Sequence, residues 1–222
     1  MYMYDFETLR ITELDTVRHG APTSAIAQPL TVLCCEARWF RTAQHLHTLK
    51  IKDDWYVKSF QGLGAVTDID ILHLENLDIA LDDFTGLTSL ERLGELIINK
   101  TNIQNFLGLE SVTSMGNVSI NATSVFTSFQ GLRTTTLGGL AIRNCNSLEE
   151  LRGLENVTEI LGDLIIEDNH VLGTLTGLDN LKRVGGNLII RHNNYYWEDG
   201  LLNISRGRPR TYVLADRWPR LD

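Results

Sequence analysis

The stretch Leu175-Thr-Gly-Leu-Asp-Asn-Leu-Lys-Arg-Val-Gly-Gly-Asn-Leu-Ile-Ile-Arg-His-Asn193 holds one period of this chain. An apolar anchor, Leu175, stands two residues before a Gly-Leu pair. Apolar residues follow that glycine at four (Leu181) and seven (Val184) positions, then a Gly-rich turn, then a short alternating strand, Leu188-Ile189-Ile190. The segment from Leu151 to Asn169 repeats this order. Further out, the Gly-Leu pair begins at Gly62, Gly86, Gly108, Gly131, Gly153 and Gly177, in steps of 24, 22, 23, 22 and 24 residues. A period in the low twenties predicts a solenoid, a fold that grows in one direction and more often binds than transforms.

The anchors are Phe60, Phe84, Phe106, Phe129, Leu151 and Leu175, and the second apolar site is Val66, Leu90, Val112, Val157 and Leu181, with Thr135 the exception. The strand triplets run Leu72-His73-Leu74, Leu96-Ile97-Ile98, Val118-Ser119-Ile120, Leu140-Ala141-Ile142, Leu164-Ile165-Ile166 and Leu188-Ile189-Ile190. Strand side chains alternate, so the outer two of each triplet, always Leu, Ile or Val, face inward and the middle one outward. One repeat cannot bury its own apolar set; stacking at about 4.8 Å buries all of them in one column. The Gly of each pair is expected to turn a corner that needs positive φ or close packing. Asn76, Asn144, Asn169 and Asn193 follow strands, either satisfying the backbone of a neighbouring coil or forming local Asx turns.

The two quoted coils resemble the receptor L domain, the leucine-rich-repeat-like module of insulin-receptor and growth-factor-receptor ectodomains, over roughly residues 60 to 194. The resemblance implies a right-handed parallel β-helix. The receptors' disulfides have no counterpart here, so a receptor role does not follow.

Further triplets, Leu9-Arg10-Ile11, Leu30-Thr31-Val32 and Leu49-Lys50-Ile51, precede the regular repeats, and Tyr212-Val213-Leu214 lies 24 residues beyond Leu188. The expectation is a mainly β, single-domain solenoid of about ten coils of 22–24 residues over 1–222. Residues 1–58 supply degenerate coils or a cap, 59–194 the regular repeats and 195–222 a C-terminal cap.

The formal net charge is −8, spread unevenly: residues 61–204 carry −11 and the tail from 205 carries +3. An acidic solenoid argues against nucleic acid and anionic membranes as partners, and no apolar run approaches the roughly 18 residues of a span. The Arg-rich tail is expected to fold back on the acidic body or cap the last rung. The start, Met1-Tyr-Met-Tyr-Asp-Phe-Glu-Thr8, lacks a basic region and an apolar core. It predicts a cytoplasmic protein, the alternative being the cell surface if a leader has been cut away. Cys34, Cys35 and Cys145 have no framework spacing and read as buried thiols. Sequons at Asn99, Asn117, Asn121, Asn156 and Asn203 exceed chance only mildly and do not establish glycosylation.

No phosphate loop, dinucleotide fingerprint or metalloprotease motif is present. His45-Leu46-His47 puts two imidazoles on one strand face, half of a zinc site without a third ligand in the sequence. Hence no metal and no cofactor are expected. Asp53-Asp54 and Asp82-Asp83 are carboxylate pairs of the kind a glycan-cleaving β-helix uses, but turn chemistry accounts for them. More informative is the outward row His73, Ile97, Ser119, Ala141, Ile165, Ile189, flanked by Glu75, Asn99, Asn121, Arg143, Glu167, Arg191. Its isoleucines suit a partner, a second copy, or cover by a terminal segment. The expected function is non-catalytic protein recognition or scaffolding through His73, Ile97, Ile165, Ile189, Arg143, Glu167 and Arg191. The first alternative is carbohydrate binding or adhesion, with Trp39, Trp55, Tyr56 and Tyr195-Tyr196-Trp197 as stacking residues. The second is a β-helix enzyme using Asp82 and Asp83.

Overall fold

A computed structural model describes residues 44–53, 57–77 and 81–194 in full, and the backbone of two short outer strands. The strands are β1 (Leu14–Asp15), β2 (His45–Lys52), β3 (Asp68–Glu75), β4 (Arg92–Asn99), β5 (Ser114–Asn121), β6 (Thr136–Arg143), β7 (Glu159–Ile160), β8 (Leu164–Glu167), β9 (Arg183–Val184), β10 (Leu188–Arg191) and β11 (Tyr212–Ala215). All pair in parallel in one 11-stranded sheet, whose main path runs β1-β2-β3-β4-β5-β6-β8-β10-β11. The chain is thus a parallel β-solenoid, each coil adding one rung.

Register follows the triplets: Leu49, Leu72, Leu96, Val118, Leu140, Leu164 and Leu188 stand in one row, as do Ile51, Leu74, Ile98, Ile120, Ile142, Ile166 and Ile190. Each is at most 3 % exposed. The Tyr212 triplet continues the row, with Leu188 opposite Tyr212 and Ile190 opposite Leu214. At the other end the outermost described strand is β1. β1 pairs directly with β2 through Leu14 and Ile51, so the main path holds nine strands among the described residues. The triplets at 9–11 and 30–32 lie outside the described residues.

The anchors form a second column inside the coil. Phe60 stacks on Phe84 with ring centroids 5.8 Å apart, and Phe84–Phe106 and Phe106–Phe129 follow at 5.5 and 5.3 Å. The N–H of each anchor from Phe60 to Leu151 bonds to the next coil, for example Phe84 to the Leu107 carbonyl at 2.8 Å. The Gly-Leu glycines turn the corner at φ between 96° and 114°. A Cβ on Gly131 would also lie 2.1 Å from the Phe106 carbonyl oxygen, so positive φ and close approach operate together. Thr135 is exceptional because its coil reaches the strand one residue early: Thr134 takes the buried site, and its hydroxyl bonds to the carbonyls of Thr113 and Thr136.

After each strand the backbone enters the left-handed region, at Asp53, Asn76, Lys100, Ala122, Asn144, Asp168 and His192, with φ of 51–57°. Asn76 and Asn144 therefore serve the bend itself. The next position faces inward and reads Leu77, Thr101, Thr123, Cys145, Asn169, Asn193. Here the coil-bridging role of asparagine holds: Asn169 is fully buried, accepts the Cys145 N–H at 2.9 Å and donates to the Ile142 carbonyl at 3.2 Å, and Asn193 donates to the Ile166 carbonyl at 2.9 Å. Burial pushes the Cys145 thiol up to about 12, so it behaves as a small core residue.

Candidate functional site: the outward face of the sheet

The outward face is shaped by a bulge. Between inward Leu93 and Leu96, two consecutive residues, Gly94 and Glu95, turn outward, and β2, β3, β5 and β6 do the same at the matching place. In β4, β5 and β6 the first of these is glycine, Gly94, Gly116 and Gly138, and Gly162 and Gly186 continue the column. The cause is steric, since a Cβ on Gly116 would lie 1.8 Å from the Gly94 oxygen. The bare column floors a groove of about 390 Å³ walled by Asp68, Asp70, Arg92, Ser114 and Leu161. In the last two regular coils one further residue enters the bulge and splits the strand, into β7 and β8 and then into β9 and β10. Leu161, beside that split, is 56 % exposed. The sequence reading missed both groove and Leu161, although the second glycine column carries the same period as the first and was there to be counted.

Beyond the bulge the face carries the two predicted rows. Register places His73, Ile97, Ser119, Ala141, Ile165 and Ile189 side by side, with Glu75, Asn99, Asn121, Arg143, Glu167 and Arg191 next to them. Ile165 and Ile189 are neighbours on β8 and β10, whereas Ile97 stands apart, separated by Ser119 and Ala141. All three isoleucines are half-buried. His73 is half-buried too, 3.5 Å from the Glu75 carboxylate, and burial together with Lys50 lowers its pKa.

Most acidic side chains of this face are tied to a neighbouring strand. Asp68 meets Arg92, Glu159 meets Arg183, and Glu75 meets Lys52 at 3.3 Å. Glu167 is 6 % exposed and holds Arg143 Nε at 2.8 Å and Arg191 Nε at 2.5 Å. Asp70 accepts His47 Nδ1 at 2.7 Å and His45 Nε2 at 3.1 Å. Those bonds, His47 first, hold its carboxyl below the usual 3.8. The Thr67 hydroxyl and Arg92 hold Asp68 below it too. Asp70 is the third polar residue that the histidine pair lacked in sequence, but the two imidazoles take different carboxylate oxygens. Among the described residues no three His, Cys, Asp or Glu side chains are arranged to hold a metal ion.

Of the carboxylate pairs weighed for catalysis, Asp83 and Asp53 take turn roles. Asp83 Oδ1 accepts the Thr85 N–H at 2.8 Å, and Asp53 occupies a left-handed bend and accepts from the Asn76 amide. The aromatic residues weighed for sugar stacking, Trp39, Trp55, Tyr56, Tyr195, Tyr196 and Trp197, lie outside the described residues. No helix among the described residues is long and apolar enough to cross a membrane.

Comparison with known proteins returned no matching family model, no matching curated protein and no matching solved structure. The class defined by fold and face is that of a parallel β-solenoid.

Proposed function

We propose that the chain is a non-catalytic recognition module that binds another protein along the outward face of its sheet. The observation that carries this reading is the half-buried isoleucines of a face most of whose carboxylates are ion-paired. Ion pairs satisfy the charged groups in cis, so an approaching surface meets little unpaired charge and gains by covering apolar area. Each isoleucine is already half-buried, so covering it contributes only part of the roughly 1.5–3 kcal/mol of a full burial, before association costs.

The test replaces Ile97, Ile165 and Ile189 together by Thr, which keeps β-propensity and removes apolar area. Proteins retained from native extract by the wild-type chain are expected to be lost by the triple variant at unchanged melting temperature. Retention of the same proteins would show that the face is not the interface. A collapse of stability with association unchanged would show that the face is covered by the chain's own segments.

A further inference from the structure

The C-terminal half of the outward face carries an imbalance that the rest lacks. Arg92 with Asp68 and Arg183 with Glu159 are one-to-one pairs. Glu167 alone serves two guanidiniums, Arg143 and Arg191, on the strands to either side. The next carboxylate along the chain, Asp168, lies outside this row, 3.2 Å from the His192 ring. Within this row, then, two guanidiniums face one carboxylate. Glu167 is buried and fixes both guanidiniums through Nε, while the Arg143 and Arg191 side chains stay 34 % and 45 % exposed, so their outer amino groups are what a visitor reaches. Beside this charged row, two residues earlier on the same strands, lies the apolar row Ala141, Ile165, Ile189. The rows are about 7 Å apart, the distance between residues i and i+2 of an extended chain.

We infer that the partner presents an extended segment with an Asp or Glu two residues from a large apolar side chain, the carboxylate seated on Arg143 and Arg191 and the apolar side chain on Ile165 and Ile189. A carboxylate suits a row of two guanidiniums and one carboxylate, and each guanidinium fork donates directed hydrogen bonds to it. The fixed spacing of the two rows excludes acidic segments without a neighbouring apolar residue. The inference rests on the sheet-face reading above and adds the chemistry of the partner.

The test uses the full chain and a random peptide library displayed on phage. Enriched peptides should carry an apolar residue and an acid two positions apart, in either order. Arg191→Gln leaves Glu167 bonded to Arg143, so the melting temperature should hold. Loss of one charge-assisted bond should weaken the selected peptides about tenfold, as should Asp→Asn in the peptide. Arg143→Gln repeats the test from the other side should Arg191→Gln lower stability. Peptides that lack an acid, or that ignore both arginine variants yet respond to the triple Ile→Thr variant, would overturn this inference and leave the sheet-face reading standing. Peptides indifferent to all of these variants, or no enrichment at all, would overturn both.

Discussion

On the inward side of the sheet, Leu72, Leu96, Val118, Leu140, Leu164 and Leu188 succeed one another at 0–3 % exposed. One residue along the same strands, on the outward side, the row reads His73, Ile97, Ser119, Ala141, Ile165 and Ile189. The two rows share backbone, register and spacing. The inward one repeats because each coil is laid on the one before, and a change of size or polarity there is met by a neighbour at about 4.8 Å. The outward one meets solvent, so stacking places little demand on it. What it carries beyond stacking, neighbouring isoleucines at one end and His73 at the other, is therefore where binding is to be sought.

The largest effect that would break this contrast is Leu164→Asp. It buries an unpaired charge in the inward row and should cost about 4 kcal/mol or more, read as loss of the cooperative transition in chemical denaturation. A wild-type transition would refute the register. Next comes Gly131→Ala at the corner. The added Cβ meets the Phe106 carbonyl at 2.1 Å and the backbone holds φ at 108°, so a loss of about 2–3 kcal/mol is expected. An unchanged denaturation midpoint would mean that the corner relaxes freely.

The smallest effect belongs to the outward ion pairs. Asp68 and Asp70 titrate below 3.8 in the folded chain. Their contribution is thus complete above 3.8 and is lost as pH falls through their lower folded values. Both are partly solvated, so the sum should stay under about 1 kcal/mol. Comparing denaturation midpoints at pH 6 and pH 3, the double variant Asp68→Asn, Asp70→Asn should lose less stability on acidification than wild type. An equal loss would place the acid sensitivity elsewhere.

Much of this was legible in the sequence because the repeat is enforced by stacking. The Gly-Leu period, the triplet register and the outward rows all follow from residues that must superimpose on the next coil. Tyr212-Val213-Leu214 was placed correctly by period alone. The bulge was not, because two consecutive outward residues break the strict alternation on which strand reading depends. Asp70 was missed as the partner of His45 and His47 because it is 23–25 residues away, one coil on, where only register brings them together. Thr134 was misread as Thr135 because a one-residue shortening of the corner is invisible until the strands are aligned. At the N-terminal end, β1 pairs with β2 across a separation of 37 residues, outside the period.

The contrast between the two sides is tested most directly within a single strand, by Ile165→Thr and Ile166→Thr compared in the same denaturation experiment. The residues are adjacent, of one type and equally β-branched; Ile166 is fully buried and Ile165 half-buried on the outward face. Ile166→Thr should cost about 2–4 kcal/mol, and Ile165→Thr no more than about 0.5 kcal/mol. Equal losses at the two positions would contradict the account, because Ile165 would then be as much a part of the fold as Ile166 and unavailable to a partner.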